Sequence, residues 1–214
     1  MTLLIGDPAV ANIPVCDSGE PLVVLERGLS IGGREGICVR SGIAARLGQA
    51  RALLPPGYGL AVVDGFRPAS RQQAIIDAYT DELRRGDASL PGAMLDRLVS
   101  RHVAPLATAP HVAGAAVDLT LTLDGEPVWM GSELDATPEQ SDGRCFTDAP
   151  GLDDVVRGRR KVLAIALVGA GLVNYPTEWW HWSHGDRYWA AVTGAPHAVY
   201  GPVVPEYASG PMSA

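Results

Sequence analysis

Hydrophobic and polar positions alternate most cleanly in AAVDLTLTL, residues 115–123. Val117, Leu119, Leu121 and Leu123 fall on one side, and Asp118, Thr120 and Thr122 on the other. A period of two predicts a strand. Asp124, Gly125 and Glu126 then read as a turn into a second short strand through Val128 and Trp129. GLAVVDGF, residues 59–66, alternates through Leu60 and Val62 and predicts another strand. After it the period lengthens. Ile75, Ile76, Tyr79 and Leu83 recur at helical spacing, Ser70 and Gln73 form a capping-box pattern, and Gly86 stands where it can close the helix. Further helices are expected over 93–103 and from Asp153 to about Val168, the latter opened by two acidic residues and ended by Gly169-Ala170-Gly171. LVNYPTEWWHWSH, residues 172–184, is rich in aromatic β-formers and reads as extended. Residues 131–152 are a long polar excursion of the kind that is functional or mobile. From about Gly194 a Pro- and Gly-rich tail is expected to wrap the surface.

These elements describe a single α+β domain over residues 1–214, with an antiparallel sheet and flanking helices. Composition agrees: of 214 residues, 47% are hydrophobic and 19% charged, a globular balance. The formal net charge is -7 with no basic run, which argues against nucleic acid and anionic membranes as partners. No window approaches the ~18 apolar residues of a membrane helix. MTLLIGDPAVANIPV lacks the basic start and apolar core of a signal peptide, so a cytoplasmic location is expected. Cys16, Cys38 and Cys145 are odd in number and contain no CxxC, so they read as buried reduced thiols rather than a disulfide framework or a Cys-based zinc site. Assembly into a homo-oligomer is compatible with the sequence.

The chemistry gathers around PHVAGAAVD, residues 110–118. His111 lies in a turn tightened by Pro110 and Gly114, just before the strand that carries Asp118. A bend over seven residues can bring both to one point, and zinc binds imidazole and carboxylate at about 2.0–2.2 Å. A catalytic zinc takes a third protein ligand and leaves a position open for water. EWWH supplies the rest: His181 as the third ligand and Glu178 as general base. In a straight strand residues three apart face opposite sides, so either Glu178 sits before the strand begins, as Pro176 suggests, or the strand bends. Arg67 is held extended by Pro68 and could stabilise an oxyanion. His184 is an alternative to His181, less favoured because Glu178 stands at the right offset from His181. His102 and His197 are assigned no function. Trp179, Trp180, Trp182 and Trp189 read as packing, and Asp142, Asp148, Asp153 and Asp154 as loop and cap residues.

In this order GFRP, HVAGAAVDLTL, WMGSELD and GLVNYPTEWWHWSHGDRYWA resemble the VanX-type D-alanyl-D-alanine dipeptidases, from about Pro21 to Pro202. The resemblance implies a zinc metallopeptidase with a hedgehog/D,D-peptidase-like fold. It implies zinc on His111, Asp118 and His181, the base at Glu178 and transition-state stabilisation by Arg67. It also implies that Asp135, in MGSELD, holds the free amino group of a small dipeptide. Two departures stand out. Ala109 and Pro110 replace serines that the family often has before the first histidine, and ERGLSI, residues 26–31, lacks the tyrosine of the family's early segment. Two other readings use the same residues: a D,D-carboxypeptidase on peptidoglycan stem peptides, and a non-catalytic zinc-binding module. The missing signal peptide argues against the first, and Glu178 with Arg67 against the second.

Overall fold

The computed structural model describes residues 2–26 and 36–203. Most of the tyrosine-lacking segment, residues 27–31, therefore lies outside the described residues. In chain order the elements are α1 (Pro8–Ala11), β1 (Leu22–Val24), β2 (Cys38–Arg40), α2 (Ser41–Leu53), β3 (Tyr58–Asp64), α3 (Ala69–Gly86), α4 (Gly92–Val99), β4 (Ala116–Leu123), β5 (Glu126–Pro127), α5 (Asp154–Gly169), β6 (Val173–Asn174), β7 (His181–Ser183) and α6 (Arg187–Thr193). A 3-10 turn, Leu106–Thr108, precedes β4.

β4 is the axis of the main sheet. It pairs with β3 on one side and β7 on the other. β6 extends beyond β7 and β5 hairpins back onto β4, every pairing antiparallel. The hairpin turns through Asp124 (φ 51) and Gly125 (φ 89), the two positive angles of a type I′ turn. The alternation in β4 sorts its faces as the sequence predicts. Val117, Leu119 and Leu121 are fully buried in one cluster with Ile43 and Leu47 of α2 and Leu163 and Leu167 of α5. The polar face is covered too: Asp118, Thr120 and Thr122 are all buried. On that side lie two satellite clusters. One, of Leu4, Ile5, Val10, Tyr175 and Tyr188, joins α1 to α6. The other, of Tyr79, Leu95, Val99 and Val103, joins α3 to α4.

A bulge between Val62 and Asp64 sets up the site. Val62 stands opposite Leu119 on the core face, so an unbroken register would turn Asp64 into the core. The shift instead places Asp64 opposite Asp118, which is itself opposite His181. A bulge re-aims a side chain in this way. Three site residues thus stand in one row across three strands.

Several expected boundaries move. β3 ends at Asp64 rather than 66, because the chain leaves the sheet to bond β2 through Phe66 N–H and Cys38 O. α3 begins at Ala69, so Ser70 lies inside the helix and makes no cap. Gln73 donates to Asp77 Oδ1 instead of closing a capping box. Gly86 is the last helical residue and Asp87 the cap. α4 ends at Val99, four residues early, and continues as turns. The 172–184 segment is two short strands joined by a turn rather than one. α5 is as expected, with Asp153 accepting from Val156 N–H as its cap. All three cysteines are free, and Cys145 is buried but Cys16 is exposed. The tail folds back along the N-terminal segment, with Ala198 paired to Val15.

The 131–152 excursion is fastened rather than loose. Arg160 of α5 donates from Nε to Met130 O, from Nη1 to Phe146 O and Thr147 O, and from Nη2 to Arg144 O. Four carbonyls satisfied by one buried guanidinium tie the loop to α5.

Gly114 marks where the small-residue stretch is obligatory. Its φ is +64, and an added Cβ would stand 2.6 Å from Leu22 Cδ2. Gly114→Ala is expected to destabilise the fold by about 1–3 kcal/mol, the cost of a non-glycine residue held left-handed, with the clash on top. Gly125→Ala, also at positive φ but facing open space, is expected to cost less. Urea midpoints of the two variants measure the difference.

Candidate active site

His111 occupies a tight turn closed by Ala113 N–H to Pro110 O and Gly114 N–H to His111 O. Its Nδ1 lies 2.7 Å from Gly65 O, which makes Nδ1 the protonated nitrogen and leaves Nε2 as the free donor atom. Nε2 is 3.2 Å from His181 Nδ1 and 3.3 Å from Asp118 Oδ2, and His181 Nδ1 is 3.0 Å from Asp118 Oδ1. Ligands about 2.1 Å from a zinc ion at tetrahedral angles stand about 3.4 Å apart. Each imidazole nitrogen is within a few tenths of an ångström of that spacing from the other and from one Asp118 oxygen, one donor atom from each residue lies within 4.8 Å of the others, and all three are buried. This donor set fits a divalent metal ion. Burial by itself would raise the Asp118 carboxyl, but His111 and His181 outweigh it and hold it well below the usual carboxylate range. Burial likewise works against a charged His181, and the Asp118 carboxylate overrides it and moves the ring upward.

Glu178 precedes β7 in a turn: its N–H donates to Tyr175 O, and His181 N–H donates to Glu178 O. The Asn174 side chain braces that turn through Glu178 O and His181 O. The turn resolves the spacing of EWWH by bringing both functional groups to the same side. Glu178 Oε2 lies 3.8 Å from His181 Nδ1.

Arg67 follows β3 and is tied by its own N–H to His111 O. Its guanidinium is buried, 2.7 Å from Asp64 Oδ2 and 3.8 Å from Asp118 Oδ2, and its Nη1 donates to Gln72 Oε1. Desolvation opposes its charge, and Asp64, Asp118 and Asp135 outweigh that, so the side chain stays cationic.

Arg67, His111, Asp118, Asp135, Glu178 and His181 all line one cavity of about 240 Å³, walled on its apolar sides by Ile5, Ile75 and Val103. Asp135 sits at the rim, partly open to solvent, at a left-handed φ of 65. Desolvation by the surrounding protein, then the negative charges of Asp118 and Glu178, push its carboxyl up to about 6. Ala109 and Pro110 are buried and offer no side-chain hydrogen bond to the cavity. His184 bonds Gly171 O and packs beside Trp189, away from the other three.

Three residues here were not singled out from the sequence. His102 was dismissed, yet its Nδ1 stands 3.1 Å from Glu178 Oε1. Gln72 is almost wholly buried between Arg67 and Ala104 O. Asp64 is the main partner of Arg67. For Gln72 the available signal was its place in the first turn of the helix directly after FRP. For His102 there was none, because it reaches the site from a separate helical turn.

Comparison with known proteins now gives this geometry a class. The Peptidase_M15 family, described as D-ala-D-ala dipeptidase, matches residues 34–198. Four relatives carry the name D-alanyl-D-alanine dipeptidase, two of them as follows. That of Synechocystis sp. is 32% identical, covering 83% of this chain and 87% of its own. That of Enterococcus faecalis is 31% identical, covering 61% and 64%. A solved structure, a mutant of the vancomycin-resistance D,D-pentapeptidase VanY in complex with Zn(II), aligns over 97% of this chain and 98% of its own at 19% identity and a TM-score of 0.43. The chain belongs to the D-Ala-D-Ala dipeptidase family of metallopeptidases. It is accordingly an enzyme that hydrolyses D,D-peptides, as the resemblance in its sequence implied, and His111, Asp118 and His181 form a possible metal site.

The rim carboxyl yields a direct measurement. In the metal-free protein, NMR titration of the Asp135 carboxyl is expected to show a midpoint near pH 6. Replacing Glu178 by Gln removes one of the charges that raise it, and is expected to move that midpoint down.

Proposed function

We propose that this enzyme hydrolyses a free D,D-dipeptide, D-Ala-D-Ala foremost, with zinc held by His111, Asp118 and His181 and with Glu178 as general base. The observation that carries the reading is the set of three buried side chains, His111 Nε2 meeting Asp118 Oδ2 and His181 Nδ1 meeting Asp118 Oδ1 at 3.0–3.3 Å, with a carboxylate and a guanidinium beside them. When bound, the zinc would supply Lewis-acid polarisation of the attacking water and of the scissile carbonyl. Glu178 takes a proton from the water as it attacks and returns it to the leaving amine. Arg67 donates to the oxyanion that develops on the carbonyl. Asp64, Asp118 and Gln72 already hold its guanidinium in place, so little reorganisation is needed during the reaction.

Cavity size supports a short substrate. About 240 Å³ is below the 300–1,000 Å³ typical of pockets for drug-sized ligands. Asp135 at the rim is our candidate for the substrate ammonium, an ion pair that a blocked or longer peptide cannot make. We further propose a single domain over 1–214 working in the cytoplasm on dipeptides of cell-wall origin. Among the described residues no helix is long and apolar enough to cross a membrane.

The test is a hydrolysis panel: D-Ala-D-Ala, L-Ala-L-Ala, the mixed diastereomers, N-acetyl-D-Ala-D-Ala and a D,D-terminated tripeptide. Free D-Ala-D-Ala alone is expected to be cleaved. Cleavage of the acetylated or longer peptide would overturn the dipeptidase reading in favour of a D,D-carboxypeptidase and remove the ammonium role from Asp135. Glu178→Ala is expected to lower kcat by about 10²–10⁴-fold while zinc stays bound. Arg67→Ala is expected to lower it by about 10²–10³-fold. Asp118→Ala is expected to lose the metal itself, read as zinc per chain after dialysis.

A further inference from the structure

Glu178 presents two carboxylate oxygens, and they meet different neighbours. Oε2 lies 3.8 Å from His181 Nδ1, while Oε1 lies 3.1 Å from His102 Nδ1. Both side chains of the His102–Glu178 pair are largely buried, and both line the cavity. By hydrogen-bond geometry the buried His102 Nδ1 has no partner among the described residues, and Glu178 Oε1 is the acceptor that stands within ion-pair distance of it.

His102 does not come from the sheet. It follows α4 in a turn held by His102 N–H and Val103 N–H, both donating to Val99 O. Its ring meets the Tyr79 ring edge to face, with centroids 5.0 Å apart. Tyr79 in turn donates its hydroxyl to Glu139 Oε2 at 2.8 Å, and Arg101 Nη1 stands 3.7 Å from Glu139 Oε1. The Arg101 guanidinium lies over the Phe146 ring at 5.5 Å. The imidazole is thus clamped between α3, the end of α4 and the 131–152 excursion. A histidine serving only to fill space beside Tyr79 would not need a carboxylate against its ring nitrogen. Burial works against a charged ring here, yet the Glu178 carboxylate overrides it and holds His102 above the ordinary histidine value.

The backbone of Glu178 is fixed by its turn and by Asn174, but the side chain still has its own torsions to settle. A rigid donor on one oxygen removes that freedom and leaves the other oxygen toward the His111–Asp118–His181 cluster. We propose that His102 is a positioning residue for the hydrolysis: its Nδ1 holds Glu178 Oε1, so that Oε2 is the oxygen that meets the reacting water. This rests on the reading of Glu178 as the base.

The experiment compares zinc-loaded His102→Ala, His102→Asn and His102→Gln with wild type and Glu178→Ala, on whichever peptide of the panel is cleaved fastest. Zinc content and thermal midpoint are recorded for each. His102→Ala is expected to lose about 10–100-fold in kcat, the range for groups that orient a functional side chain from behind, with KM and zinc content unchanged. Asn places an amide nitrogen where Nδ1 stands and is expected to recover most of the loss. Gln reaches the Nε2 position instead and is expected not to. A His102→Ala enzyme at wild-type kcat overturns the proposal. So does a loss that Asn fails to recover, or an effect confined to KM, which would make His102 a substrate contact. If His102→Ala fails to fold, the Asn and Gln pair still decides the matter, because equal rates for the two contradict a role specific to Nδ1. If Glu178→Ala keeps wild-type turnover, the base assignment falls and this proposal with it. If Glu178→Ala is inactive and His102→Ala is not impaired, only the positioning role falls.

Discussion

The structure depends on one buried carboxylate. Asp118 sits on the central strand, with neighbours on both sides and helices or loops over both faces. A charge in that position costs several kcal/mol unless it is paired and bonded on all sides. Here it is met by His111 and His181 and, at 3.8 Å, by Arg67. Each of those groups reaches Asp118 through a separate departure from regular structure: the 110–114 turn for His111, the Glu178 turn for His181 and the bulge before Arg67. The fold is shaped to gather positive and metal-binding groups around this position.

The rest of the site follows from that arrangement. Arg67 can approach a second set of acceptors only because Asp64 is re-aimed by the bulge to share its charge. Glu178 can face the cluster because β7 does not begin until His181. The apolar walls supplied by Ile5, Ile75 and Val103 come from the two satellite clusters, so the packing of α1, α3, α4 and α6 also limits water around the charged groups. Arg160 does comparable work for the rim, since it fastens the loop that carries Asp135 through that loop's carbonyls.

The strongly periodic segments were legible, and the irregular ones were not. β4 and α5 stand within a residue of where their patterns put them, because eight alternating residues and an acidic start need no outside help. Ser70 failed as a cap because the helix starts at the residue after Pro68, whose fixed φ suits a helix entry, and this moved Ser70 inside. The 172–184 segment failed as one strand because Pro176 and the Asn174 brace make a turn in its middle. Cys16 is exposed because its segment forms an edge along the tail rather than part of the core.

By itself the sequence determined which residues could do the chemistry: an imidazole and a carboxylate seven apart, a second imidazole three after a glutamate, and an arginine before a proline. Those are matters of residue type and local spacing, and local spacing is written in the chain. Only the tertiary structure decided which of the other polar residues join them. Asp64 enters through a strand register, Gln72 through the docking of a helix, and His102 through the packing of α4 and its turn against Tyr79. None of these has a local signature, because each depends on a contact between segments whose separation along the chain carries no information about their distance in space.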